Sequence, residues 1–172
     1  MKRWACVLLL SAAVVFGGCS GSKMTILQGR PPTHAVTAIA MAPSGGVLSD
    51  AIAVELFNMG FQIVDTAETS NLLLRLGLSE LEVSQPENLR RLHDEGVDAY
   101  LSVRSVAGQD GAPQSATVRV NSTHDGSILA GLSWQNGWGG MAGSMADRTM
   151  RKDLVEAATE IAHELAKRLG AS

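Results

Sequence analysis

Cysteine is nearly absent from this chain: two among 172 residues, Cys6 and Cys19. Neither belongs to a CxxC pair, and two thiols cannot build the framework of bridges that staples small exported domains. The four histidines, His34, His93, His124 and His163, include no HxxxH spacing, and no GxSxG nucleophile motif occurs. His93 and His163 read as solvated helix residues. The usual signals of metal-assisted and nucleophilic catalysis are missing, so the chain reads as a non-enzyme without a cofactor or metal. GxGxxG is missing too, as is a Lys-Ser/Thr pair, so Ser44-Gly45-Gly46 reads as a turn rather than a phosphate cradle. Basic charge is scarce: 14 Lys+Arg stand against 17 Asp+Glu, a formal net charge of −3. That balance argues against nucleic acid as a partner and against a polybasic membrane patch.

No apolar run reaches the roughly 20 residues that a membrane-spanning helix needs. The longest, Val7 to Phe16, follows Lys2 and Arg3 and is followed by Gly17-Gly18. That is the layout of a secretory signal peptide over residues 1–18. A small pair directly before Cys19 resembles the bacterial lipobox, with Phe16 where Leu is usual. The resemblance implies that the Cys19 thiol is lipidated and that cleavage leaves it as the first residue. Cleavage removes Cys6, Lys2 and Arg3, so the mature chain keeps 12 of the 14 Lys+Arg against 17 Asp+Glu, a charge of −5. Ser20 follows the acceptor where Asp would mark retention in the inner membrane. By the enterobacterial sorting rule this implies the periplasmic face of the outer membrane, and three acyl chains suffice for stable anchoring.

Beyond the leader, residues 19–34 read as a lipidated tether, with Gly29-Arg30 and Pro31-Pro32 and no sustained apolar period. Residues 35–172 read as a single α/β domain. Val36 to Ala42 is almost wholly apolar, as suits a strand buried on both faces. Leu48, Ile52, Leu56 and Met59 follow at helical spacing, stopped by Gly60. Phe61 to Val64 is a second strand. Asp65 to Glu68 and Ser84 to Glu87 resemble capping boxes that open two helices, stopped at Gly77 and Gly96. From Val97 to Val106, and again through Ala116, Val118 and Val120, apolar and polar residues alternate. Asp125-Gly126 is a hairpin turn signal, and Ile128 to Trp134 forms the returning strand. Leu154, Ala158, Ile161, Leu165 and Leu169 mark a last amphipathic helix whose polar face carries Glu156, Glu160, Glu164 and Lys167. The expected order is βαβααβββα, a mixed β-sheet with helices packed on it.

The stretch "FQIVDTAETSNLLLRLGLSE…ENLRRLHDEGVDAYLSVRSVAG", with the hairpin Thr123-His124-Asp125-Gly126-Ser127-Ile128, resembles the CsgG/TolB-N-terminal-like envelope lipoproteins over roughly Val36 to Leu169. The motifs mark turns and core positions. The connections here are too short for the long amphipathic hairpins by which some members build a pore. Overall size, the early lipobox and the glycine/Trp loop at Asn136 to Ser144 are most similar to the PelC family of exopolysaccharide export. That resemblance implies a homo-oligomeric periplasmic ring under the outer membrane, beside a separate export pore, guiding a secreted polysaccharide that is partly deacetylated and cationic. The alternative is an LpoB-like activator of a periplasmic peptidoglycan synthase.

Trp138 stands between glycines with few local neighbours, and tryptophan suits a membrane interface because its body is apolar and its indole N–H stays wet. Membrane or subunit contact is expected for it, with a local core plug as the competing reading. Trp134 continues a strand and is expected in or beside the core.

Overall fold

The computed structural model describes residues 21–27, 29–108, 110–137 and 144–170. Its strands are β1 (Ser22–Leu27), β2 (Ala38–Met41), β3 (Gln62–Val64), β4 (Ala99–Ala107), β5 (Pro113–Ser122) and β6 (Ile128–Asn136). Its helices are α1 (Gly46–Asn58), α2 (Thr66–Leu76), α3 (Pro86–Asp94), α4 (Met145–Met150) and α5 (Leu154–Leu169). The strands form one sheet in the order β1-β6-β5-β4-β2-β3. Strand β2 runs parallel to β3 and β4, while β4-β5-β6-β1 is antiparallel throughout. The fold is the expected mixed sheet with helices packed on it.

The burial of each strand follows from what covers it. In β2, Ile39 and Met41 join one apolar cluster, and Ala40 joins another on the opposite face. Helices lie over both faces there, so no position in β2 can be polar without losing its water. In β4, β5 and β6 only one face is apolar. Leu101, Val103, Val118, Val120, Leu132 and Trp134 pack with Ile161 and Leu165 of α5 and Leu56 of α1. Each such large side chain contributes about 1.5–3 kcal/mol on burial, which is why the period-two pattern is so regular in these strands. Trp134 is fully buried, as its place in the strand suggested.

Local signals set most element boundaries. The Asp65 side chain accepts a hydrogen bond from the Glu68 backbone N–H at the start of α2. A full capping box between Asp153 and Glu156 opens α5. The predicted box at Ser84 to Glu87 does not form: Gln85 is the N-cap without a side-chain bond, and Pro86 at the first helical position starts α3 instead. The Asp125-Gly126 hairpin forms, with Gly126 at φ 76°.

Two other expectations are corrected. Residues 22–27 are not tether but the edge strand β1, paired in register with β6 from Ser22↔Asn136 to Leu27↔Gly131. Ser22, Met24 and Ile26 turn toward α5 while Lys23, Thr25 and Leu27 face outward, a six-residue alternation masked by the glycines and prolines that follow. The element order therefore gains a leading strand, and it also gains α4 before the last helix. Glu160, on the polar face of α5, is the centre of a hydrogen-bond cluster.

Candidate functional site

One end of the sheet collects the start of β1, the end of β6, the start of β5 and the segment that enters α5. The register sets this: Ser22 lies opposite Asn136, and Ser115 opposite Gln135. Glu160 of α5 reaches into the gathering. Its carboxylate accepts hydrogen bonds from Ser22 Oγ (2.7 Å), Trp134 Nε1 (2.9 Å) and Lys152 Nζ (2.7 Å). Partial burial pushes the Glu160 pKa up, but the bonds from Lys152, Trp134 and Ser22 outweigh it and hold the carboxyl below its usual range. One ionised group thus ties together β1, β6, α5 and the segment before α5.

Asn136 performs a second tie with neutral groups. Its Nδ2 donates to the Pro113 carbonyl (2.7 Å) and the Lys152 carbonyl (2.8 Å), while its Oδ1 accepts from the Lys152 and Gly137 backbone N–H groups. Arg151 pairs with Asp110 at 3.0 Å in the β4–β5 turn and with buried Asp147 at 3.7 Å. Gly21 and Gly137 complete the packing by close backbone approach. A Cβ on Gly21 would lie 2.3 Å from the Met150 carbonyl oxygen, and one on Gly137 would lie 2.1 Å from the Gly21 carbonyl oxygen. No side chain fits at either position. Gly137 at the end of β6 and Met150 at the end of α4 thus both close on the backbone of Gly21.

The expected site residues Cys19 and Trp138 both lie outside the described residues. Chain connectivity still relates them to this end of the sheet. Cys19 precedes Ser22 by three residues, a reach of at most about 11 Å, and Trp138 follows Gly137 directly. Nothing in the sequence pattern signalled that the two would attach to one pole, because the β1–β6 pairing joins residues more than a hundred positions apart.

The opposite end of the sheet brings together three histidines that sequence spacing kept apart. The His124 ring in the β5–β6 hairpin lies 4.5 Å from the His34 ring and 5.3 Å from the His93 ring, centroid to centroid. Asp98 lies beside them and accepts from the backbone N–H groups of Thr37 and Ala38. Burial pushes the Asp98 pKa up, and those two hydrogen bonds, with a contribution from His93, bring it net below its usual range. The rings are exposed and packed on one another. Among the described residues no group of His, Cys, Asp and Glu is arranged to hold a metal ion. His163, as expected, is exposed on α5, with Nδ1 2.9 Å from the Thr159 carbonyl. No helix among the described residues is long and apolar enough to cross a membrane.

No family model matches the chain, and no curated protein does. Similar solved structures include PelC of Paraburkholderia phytofirmans, described as a dodecamer, at 14% identity and TM-score 0.49, with 88% of this chain and 99% of that one covered. They also include the lipoprotein GNA1162 of Neisseria meningitidis, at 17% identity and TM-score 0.48, with 76% and 96% covered. The first belongs to the family that the sequence resembles.

Proposed function

We propose that this protein is a lipid-anchored, non-enzymatic lipoprotein of the outer membrane's periplasmic face, a ring-forming accessory that guides a secreted exopolysaccharide to a separate export pore. The observation that carries the reading is the position of β1. Its first residue, Ser22, comes three residues after Cys19, so a lipid on Cys19 holds the domain against the bilayer with no free tether. An activator of a peptidoglycan synthase has to reach across the periplasm from the same anchor, and a reach of about 11 Å does not serve that role. The glycine-rich segment with Trp138 leaves the sheet beside the anchor, where an indole can sit at the lipid headgroups. The resemblance to PelC-type lipoproteins supplies the polymer and the ring.

The test is complementation of a strain lacking the protein with wild type, Cys19→Ser and Trp138→Ala, read as membrane fractionation and secreted polysaccharide. Cys19→Ser is expected to leave the membrane fraction, and Trp138→Ala is expected to stay there while export falls. Full membrane retention of Cys19→Ser contradicts the lipoprotein reading. Normal export by Trp138→Ala removes the loop from the function.

A further inference from the structure

Helices α2 and α3 cover only the β2 side of their face of the sheet, and beyond them the strands are open. The register sets Tyr100 opposite Asn121, Ser102 opposite Arg119 and Arg104 opposite Thr117. Alternation turns all six away from the α5 core, and they line a groove of about 520 Å³. From Tyr100 to Arg104 the floor runs roughly 13 Å along the strand.

Two independent features point to a ligand. The first is charge. Strands β1, β4, β5 and β6 contain no Asp or Glu, although the chain holds 17 such residues, and this face carries Lys23, Arg104 and Arg119. Arg104 and Arg119 are exposed diagonal neighbours and make no ion pair among the described residues. The one carboxylate at the groove, Glu80, is engaged by the backbone N–H and hydroxyl of Ser44. Two unpaired guanidiniums side by side repel each other until an anion sits between them. The second is the polar floor. Ser102, Thr117 and Asn121 line the groove beside the arginines, while Tyr100 packs at its α2 and α3 side with its hydroxyl closed off from solvent.

We propose that this groove binds an acidic glycan segment, with Arg104 and Arg119 holding its carboxylate or phosphate oxygens and Ser102, Thr117 and Asn121 meeting its hydroxyls. The planar guanidinium fork matches either oxyanion, and a floor of this length exceeds what one isolated anion needs. The site goes beyond the export reading. A cationic polymer is repelled from this face, so the acidic glycan is a different ligand.

The experiment titrates the full acylated chain in detergent micelles with a glucuronate disaccharide, inorganic phosphate and neutral cellobiose, following the arginine Nε–H signals by ¹⁵N NMR. Arg104 and Arg119 are expected to shift saturably with an anion and not with cellobiose. A response to glucuronate alone assigns the carboxylate, and a response to phosphate alone assigns the phosphate. Arg104→Gln and Arg119→Gln are each expected to weaken binding severalfold, and together at least tenfold, with an unchanged melting temperature. Equal binding of cellobiose, silence toward both anions, or unchanged affinity in either variant overturns the proposal.

Discussion

At the residue scale, Glu160 carries more of the architecture than its place in a helical repeat suggests. Three donors from three separate segments converge on it, and each bond to a charged acceptor contributes about 1.5–3 kcal/mol before the cost of partial burial. Glu160→Gln keeps the shape and removes the charge, so it should destabilise the domain by about 1–2 kcal/mol near neutral pH. The pH dependence follows from the lowered pKa. This carboxylate stabilises the fold fully above its unfolded value and loses that contribution as pH falls through the lower folded value. The gap between wild type and Glu160→Gln should therefore close on acidification below about pH 4. Urea unfolding at neutral and acid pH measures it, and a gap independent of pH contradicts the assignment. Gly126 is the second such residue. Its φ of 76° is disfavoured for a β-branched side chain, and an added Cβ would meet Pro86 Cβ at 3.0 Å. Gly126→Val should cost about 1 kcal/mol or more. An unchanged melting temperature would mean that this turn relaxes freely.

At the element scale, β1 separates what the sequence made legible from what it did not. The strands β2, β4, β5 and β6, the helices α1, α2, α3 and α5 and their glycine stops were readable because each announces itself within a dozen residues, through period, cap or turn. The mixed sheet followed from the same signals. Strand β1 was hidden because its alternation lasts six residues and its stability comes from a partner strand far away in sequence. The Glu160 cluster and the histidine contact were hidden for the same reason: contact between distant segments leaves no trace in local spacing. A strand and a tether predict different outcomes for deletion of residues 22–27. Removing β1 leaves the β6 edge unpaired, deprives Glu160 of Ser22 and uncovers the surface under Met24 and Ile26, so stability should fall by about 2 kcal/mol or more. Thermal unfolding of the deletion checks this, and a neutral deletion would restore the tether reading.

At the scale of the whole molecule, the antiparallel pairing of β1 with β6 gives the domain two unlike poles. At one, the backbones of Gly21 and Gly137 meet, and the other carries the histidine contact and the Asp125-Gly126 hairpin. On the proposed reading, cleavage before Cys19 leaves 17 acids against 12 bases, and anionic headgroups then repel the domain unless its acids face away from them. At the pole where Gly21 and Gly137 meet, Glu160, Asp110 and Asp147 are engaged by Lys152 or Arg151, while Asp153 and Glu156 at the start of α5 bond each other's backbone N–H groups. In the proposed ring, acids turned toward a common axis would concentrate a cationic polymer, an effect that weakens with salt. Assembly is thus the step on which the functional reading turns. Native mass spectrometry of the acylated full chain, released from nanodiscs of outer-membrane lipid, tests it most directly. The account predicts a closed homo-oligomer of one stoichiometry, whereas a monomer at every concentration, with lipid still bound, would contradict it.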